Sequence, residues 1–252
     1  MNTASATGEA RLDRDGPVAT VTLCRPQVLN AQTPQLWDQL RQFGRDLPGD
    51  VRVVVVRGEG RAFSAGLDLS IAGGVSDLLP GSPPEAEARI ALFQEAFSWL
   101  RRPSLISIAA VQGHAIGAGF QLALACDFRV LAEDAKFTMA EVTLGLVPDL
   151  GGTKRLVELV GYARALELCV TGRRVAATEA AQIGLANVVV PADELDGAVR
   201  DLTAAVLAGS RNAVVEIKAL VAEAAGRSFT GQEAAERAAQ VRRLRDLAGL
   251  GE

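Results

Sequence analysis

Two glycine-containing turns carry the residues of this sequence that are best suited to chemistry. Residues 62–69 are A-F-S-A-G-L-D-L, and residues 111–127 are V-Q-G-H-A-I-G-A-G-F-Q-L-A-L-A-C-D. Each turn places small residues close behind an apolar segment typical of a buried strand. Two such turns can aim two backbone N–H groups at one point, which stabilises a developing oxyanion. The candidate donors are Leu67 and Ala118, and we expect Ala118 to begin a helix, where backbone N–H groups are unpaired.

Two carboxylates, Glu141 and Asp149, bracket the apolar run V-T-L-G-L-V, which we expect to be buried. If they face a cavity there, desolvation raises their pKa values and suits them to general acid–base catalysis. An ordinary surface acid at Glu141 and ordinary Pro-Asp turn chemistry at Asp149 explain the same residues without catalysis. Both interpretations stay open on residue types alone.

Other kinds of site are disfavoured. The glycines of Gly113–Gly119 have the spacing G-x-x-x-G-x-G, which differs from the G-x-G-x-x-G of dinucleotide-binding turns. His114 is the only histidine, so a zinc site or a Ser-His-Asp triad has one candidate and no second. Cys24, Cys126 and Cys169 are far apart and are interpreted as buried, reduced thiols. We therefore expect neither a metal nor a redox cofactor.

Strands and helices alternate in the first part of the chain, which predicts an α/β fold with crossover connections. A hairpin is expected at residues 11–23 with its turn at 13–16, and Thr33-Pro34 is typical of a helix start. From Gly152 onward we expect helices with one strand-like interruption at residues 187–190. The remaining predicted segments are strands at 51–56, 105–111 and 127–131, helices at 85–102 and 119–125, and a loop at 71–84.

Composition limits the partners. With 252 residues, of which 49% are hydrophobic, the chain can bury a sizeable core. A net charge of −4 and 4% aromatic residues argue against nucleic-acid binding. Neither a secretory signal pattern nor a long apolar run is present, so we expect a cytoplasmic protein without membrane contact.

Three motifs together resemble the enoyl-CoA hydratase/isomerase (crotonase) superfamily. They are F-S-A-G-L-D-L, A-V-Q-G-H-A-I-G-A-G-F-Q-L-A-L-A-C-D and F-T-M-A-E-V-T-L-G-L-V-P-D-L-G-G-T-K-R-L, and the resemblance extends from Cys24 to Asn187. It implies a spiral core of ββα units with the CoA and acyl site in residues 1–195. A helical region in residues 196–252 would then pack in homotrimers or hexamers. The implied substrate is an acyl-CoA thioester, with no cofactor besides the coenzyme A that the substrate carries.

By position, the resemblance places the thioester oxygen at the N–H groups of Leu67 and Ala118. It assigns the path of the CoA and acyl groups to short stretches around these two turns and to the segment that follows Cys24. The implied binding residues are Arg25, Gln27, Val28, Leu29, Ala65, Gly66, Asp68, Leu69, Ile116 and Gly117.

The departures from the family pattern concern the acids. Gln121 stands where hydratases carry the first of two glutamates, and Glu141 matches the second. Glutamine can orient a water but cannot exchange a proton with it at neutral pH. Asp149 stands where isomerases of the family, including dienoyl-CoA isomerases, place an aspartate. The predicted function is therefore double-bond isomerisation through an enolate, with catalytic residues Glu141, Asp149 and Gln121. A 2-enoyl-CoA hydratase and a non-catalytic acyl-CoA binding protein are the alternatives.

Overall fold

The computed structural model describes residues 9–70 and 81–250. Most of the loop expected at 71–84 lies outside the described residues, and a helix begins at Pro83. The described strands are β1 (Ala10–Asp15), β2 (Val18–Leu23), β3 (Val53–Gly58), β4 (Ile106–Val111), β5 (His114–Ile116), β6 (Phe128–Ala132), β7 (Lys136–Thr138), β8 (Arg174–Ala176) and β9 (Val188–Val190).

The strands form two sheets. The larger has the order β1-β2-β3-β4-β6-β9, in which only the β1–β2 pair is antiparallel, and the smaller has the order β5-β7-β8. Strand β3 is buried on both faces, as its continuous valines predict. Val54 and Val56 contribute to the main core, whereas Val53 and Val55 contribute to a second core on the opposite face.

The helices cover these sheets and place the two turns. Thr33 caps the first helix, because its Oγ1 accepts the N–H of Leu36 at 3.1 Å, and Pro34 is the first helical residue. The described helices are α1 (Pro34–Asp46), α2 (Pro83–Ser98), α3 (Ala118–Ala125), α4 (Gly152–Val160), α5 (Tyr162–Thr171), α6 (Ala177–Gln182), α7 (Leu195–Ala208), α8 (Arg211–Glu223) and α9 (Phe229–Leu247).

Four expectations need correction. The hairpin turn lies at residues 16–17, because Asp15 and Val18 are still paired. The second half of the chain contains strand β8, which pairs with β7 and was not predicted. Of the cysteines, only Cys126 is fully buried. The apolar run after Glu141 is largely exposed rather than buried, because it forms a 3-10 turn and a loop at the protein surface, with exposed fractions of 40% at Val142, 46% at Leu144 and 73% at Val147.

The last three helices attach to the sheet in different ways. Leu195 and Val199 of α7 pack into the second core beneath the large sheet. Helices α8 and α9 pair with each other, and Lys218 of α8 donates a hydrogen bond to Asp127 at 2.7 Å. The domain division at residue 195 stays a prediction. Among the described helices, none has the apolar length that crossing a bilayer would require.

Candidate active site

The two glycine-containing turns lie against each other. The Ser64 N–H donates to the His114 carbonyl at 2.8 Å, and the Ile116 N–H donates to the Ser64 carbonyl at 3.0 Å. This short parallel pairing sets the turns side by side. A Cβ atom at Gly66 would lie 2.4 Å from the Ile116 carbonyl oxygen and 3.5 Å from the Ala118 nitrogen. Glycine is therefore required at position 66 for the two candidate donors to approach each other.

The N–H groups of Leu67 and Ala118 are both available. The backbone of Gln32 holds the turn on either side of Leu67, accepting the Asp68 N–H at 2.8 Å and donating to the Gly66 carbonyl at 2.7 Å. Ala118 is the first residue of α3, whose first N–H groups have no partner within the helix. Within residues 9–70 and 81–250, neither N–H donates a hydrogen bond. The predicted pair of donors is thus geometrically present.

A cavity of about 370 Å³ opens in front of these donors. Its walls are mainly apolar, and the rings of Trp37 and Phe93 lie 4.7 Å apart on one side of it. The predicted site residues that line the cavity are Ala65, Gly66, Leu67, Leu69, Ile116, Gly117, Ala118, Gln121, Glu141 and Asp149.

Glu141 is held in this cavity by Gln121. The side-chain amide of Gln121 donates to Glu141 Oε1 at 2.7 Å. Its own oxygen accepts the N–H groups of Leu150 at 2.9 Å and Gly152 at 3.2 Å, which fixes the orientation of the amide. Glu141 Oε2 is buried and accepts no hydrogen bond within the described part of the chain. One carboxylate oxygen is therefore fixed and the other is uncommitted.

Burial perturbs both acids in the same direction. Desolvation raises the pKa of Glu141, and the nearby charge of Asp149 adds to this effect, whereas the hydrogen bond from Gln121 opposes it. Desolvation also raises the pKa of Asp149, which is half-buried in the cavity wall. The expectation that the two acids face one cavity is confirmed, although the run between them is exposed. A raised pKa suits a carboxyl group to general acid–base catalysis.

Five of the predicted CoA-binding residues do not line the cavity. Arg25 instead forms an ion pair with Asp68 at 2.9 Å and donates to the Ala31 carbonyl at 2.8 Å. The hydroxyl of Ser70 and the Arg25 guanidinium lower the pKa of Asp68, so this aspartate is a charged structural partner. The other residues outside the cavity are Gln27, Val28 and Leu29, of which the first two are exposed.

Several residues of the cavity wall were not predicted as site residues. Ile90 and Phe93 were recognised only as the apolar face of an amphipathic helix, and that pattern does not distinguish a core from a cavity wall. Trp37 lies on another helix with the same ambiguity. The remaining wall residues are Ala140, Thr143, Leu144, Leu146, Val147 and Leu150.

Comparison with known proteins identifies the family of this chain. The sequence model of the enoyl-CoA hydratase/isomerase family matches residues 13–246. A protein of Mycobacterium tuberculosis named as a probable enoyl-CoA hydratase is 37% identical over 186 residues, which is 73% of this chain and 69% of that protein. A carnitinyl-CoA dehydratase of Salmonella paratyphi A is 38% identical over 213 residues, covering 82% of this chain and 77% of that one.

Solved structures give the same result. A protein of Thermobifida fusca YX, described as a putative enoyl-CoA hydratase and crystallised with CoA, superposes with a TM-score of 0.92. It is 48% identical, and the match covers 96% of this chain and 95% of that one. A second structure from the same organism, in complex with acetoacetyl-CoA, has a TM-score of 0.89 at 45% identity, with 95% and 96% of the two chains covered.

The chain therefore belongs to the enoyl-CoA hydratase/isomerase family and has its crotonase fold. It is an enzyme of the hydratase or isomerase type. The family names do not decide between these two activities for this chain, whereas the relatives described above are named hydratases or dehydratases.

Proposed function

We propose that this protein is a 2-enoyl-CoA hydratase in which Glu141 is the single proton-transferring group. The observation that carries the proposal is the buried Glu141 carboxylate, which shares one cavity with the N–H groups of Leu67 and Ala118. Neither N–H donates a hydrogen bond within the described residues. The hydratase and dehydratase names of its relatives support the same activity. This reverses the preference for isomerisation that the residues alone suggested.

The proposed reaction uses these groups in turn. The thioester oxygen accepts hydrogen bonds from Leu67 and Ala118, so that negative charge on it is stabilised as the enolate forms. The oxygen of a water adds to C3 while Glu141 Oε2 takes one of its protons. The resulting carboxyl group then gives a proton to C2, and the enolate returns to a thioester as the 3-hydroxyacyl-CoA product. Gln121 holds the other oxygen of Glu141 throughout.

The substrate class is an acyl-CoA, whose acyl group would lie against the apolar wall at Trp37 and Phe93. Structural neighbours crystallised with CoA and with acetoacetyl-CoA support this choice. Coenzyme A enters as part of the substrate, and the proposal requires no other cofactor. A homotrimer or hexamer in the cytoplasm, formed through the C-terminal helices, remains part of the proposal.

Double-bond isomerisation is the second candidate, and Asp149 is the observation that favours it. A shift of the double bond removes a proton at one carbon and returns one at another. Asp149 provides a second carboxyl group of raised pKa on the same cavity wall. Glu141 and Asp149 could then serve the two carbons separately.

The deciding experiment supplies the purified protein with crotonyl-CoA and, separately, with a 3-enoyl-CoA, in heavy-oxygen water and in deuterated water. A hydratase incorporates heavy oxygen at C3 of the 3-hydroxybutyryl-CoA that forms from crotonyl-CoA. An isomerase converts the 3-enoyl-CoA without incorporating oxygen and exchanges carbon-bound hydrogen. Consumption of the 3-enoyl-CoA alone would reverse the proposal. Tight binding of both thioesters with turnover of neither would favour the non-catalytic alternative.

Replacing Glu141 by glutamine tests the assigned acid–base group. We expect Glu141→Gln to lower the hydration rate by roughly 10²–10⁴, the usual contribution of such a group. The affinity for CoA thioesters should change little, because the oxyanion donors remain. A variant of near wild-type rate would show that another residue transfers the proton.

A further inference from the structure

A buried chain of polar side chains links the cavity wall to one oxyanion donor. The indole N–H of Trp37 donates to Gln32 Oε1 at 2.8 Å, and Gln32 Nε2 donates to Ser64 Oγ at 3.1 Å. Both Gln32 and Ser64 are 0% exposed, and Trp37 is 5% exposed. Polar groups at this depth are costly unless each is hydrogen-bonded in a defined geometry.

The chain ends at the turn that carries Leu67. Ser64 Oγ accepts the Gly66 N–H at 3.2 Å and donates to the Asn30 carbonyl at 2.8 Å, so its hydroxyl is fully used. The backbone of Gln32 binds the same turn at Gly66 and Asp68. The backbone bonds to Gly66 and Asp68 lie on either side of Leu67 and do not use the Leu67 N–H. The backbone of Gln32 thus holds this turn directly, and its side chain holds the turn through Ser64 Oγ.

We propose that Ser64 and Gln32 are positioning residues that aim the Leu67 N–H at the thioester oxygen and couple this donor to the acyl-contacting wall at Trp37. The inference rests on the proposed function for the identity of the reacting thioester. Its physical basis is that oxyanion stabilisation depends on donors preorganised at hydrogen-bonding distance from the developing charge. An acyl chain that displaces Trp37 would shift the turn carrying the Leu67 N–H through the side chains of Gln32 and Ser64.

Two variants and one control separate positioning from stability. Ser64→Ala removes the hydroxyl that binds the Gly66 N–H. Trp37→Phe removes the indole N–H and part of the ring but keeps an aromatic side chain in the wall, so it serves if Ser64→Ala does not fold; the control loses the same atoms. Trp99→Phe is the matched control, because Trp99 is also 5% exposed, donates its indole N–H to the Ala96 carbonyl at 3.0 Å and does not line the cavity.

The first readout is the hydration kinetics with crotonyl-CoA. We expect Ser64→Ala to lower kcat by about 10–100-fold with KM nearly unchanged, since small misplacements of a reacting geometry reach this size. Trp37→Phe should lower kcat less, and Trp99→Phe should leave it at the wild-type value. Equal losses in Trp37→Phe and Trp99→Phe would mean that a lost buried hydrogen bond acts through stability alone, and would overturn the inference.

The second readout does not depend on turnover. Acetoacetyl-CoA bound at a working oxyanion hole ionises to its enolate, which has its own ultraviolet absorption. The enolate band should require a higher pH in Ser64→Ala than in the wild type, while the affinity for saturated butyryl-CoA stays the same. If the wild type binds acetoacetyl-CoA without the band, the proposed oxyanion function fails. If wild type and Ser64→Ala give identical bands, the positioning role fails and the proposed function stands.

Discussion

Replacing Gln121 by glutamate puts a second carboxyl group in direct contact with Glu141. The amide nitrogen of Gln121 lies 2.7 Å from Glu141 Oε1, and the exchange puts an oxygen in its place. The other oxygen of the new group keeps the N–H groups of Leu150 and Gly152 as donors. These donors and the start of α4 favour negative charge on the new carboxylate. We therefore expect the shared proton to be held on Glu141.

The size of the effect follows from the distance. Two unit charges 2.7 Å apart repel by about 6 kcal/mol at an effective dielectric constant of ~20. This repulsion raises the pKa for loss of the second proton, so the pair keeps one proton over an interval of pH in which an ordinary glutamate, of pKa ~4.3, is ionised. The folded variant then holds a proton that the unfolded chain has released over this interval. Its free energy of unfolding accordingly falls as pH rises, by about 1.4 kcal/mol per pH unit.

The assay is thermal unfolding of wild type and variant between pH ~5 and ~8. For a chain of this size, about 1.4 kcal/mol corresponds to roughly 3–6 °C, so the Tm of Gln121→Glu should fall by that amount per pH unit relative to wild type. Gln121→Met is the control, because it removes the same amide without adding a charge. Its Tm should be lower than that of the wild type and should depend on pH less steeply than that of Gln121→Glu.

The same variant should hydrate crotonyl-CoA faster, by up to about 10²-fold, because it adds a base beside a protonated Glu141. A pH dependence of Tm equal to that of Gln121→Met would show that the two carboxyl groups do not meet. The arrangement of Gln121 and Glu141 would then be wrong. A steep pH dependence without faster hydration would keep the geometry and show that a carboxylate at position 121 does not activate the water.

Three further variants test other parts of the structure. Asp149→Asn should leave hydration within a few-fold of wild type and abolish any isomerisation of a 3-enoyl-CoA, which parallel rate assays on both substrates measure. Ala118→Val should crowd the start of α3 and lower kcat by about 10²–10³, the value of one oxyanion donor, with far-ultraviolet circular dichroism unchanged. Lys218→Met should lower the free energy of unfolding by about 3 kcal/mol in urea titrations, because it leaves the Asp127 carboxylate without the ammonium group that is 8% exposed beside it.

Local chemistry made much of the fold and the donors predictable. Thr33-Pro34 predicts the start of α1 because a threonine cap and a proline at the first position both satisfy helix-end geometry. The small residues at Gly66 and Ala118 predict close approach of two backbones, and the structure has it. These features depend on neighbours in sequence or on the absence of a side chain.

Features that depend on distant packing were not predictable. Val147 was expected to be buried but is exposed, because it lies in a surface loop. The hydrophobicity of a side chain does not reveal whether other residues cover it. The hydrogen bond between Gln121 and Glu141 joins positions 20 apart. The N–H groups of Leu150 and Gly152 bind the amide oxygen of Gln121, so its NH₂ group faces Glu141. The residue type alone shows that Gln121 cannot exchange a proton with water at neutral pH. The fixed orientation of its amide depends on contacts with residues distant in sequence.

That fixed amide explains how a chain with one of two expected glutamates fits among relatives named hydratases. Gln121 holds Oε1 of Glu141, and Oε2 accepts no hydrogen bond within the described residues. In the proposed hydration, Oε2 alone would therefore take the proton from water and supply one to the adjacent carbon. Both transfers then occur from the same side of the acyl group, so the hydroxyl and the new hydrogen should be added to one face. In the second candidate reaction, a double-bond shift across more distant carbons would use Asp149 as the second proton-transferring group. Addition of the hydroxyl and the new hydrogen to opposite faces, measured in deuterated water, would therefore contradict Glu141 acting alone.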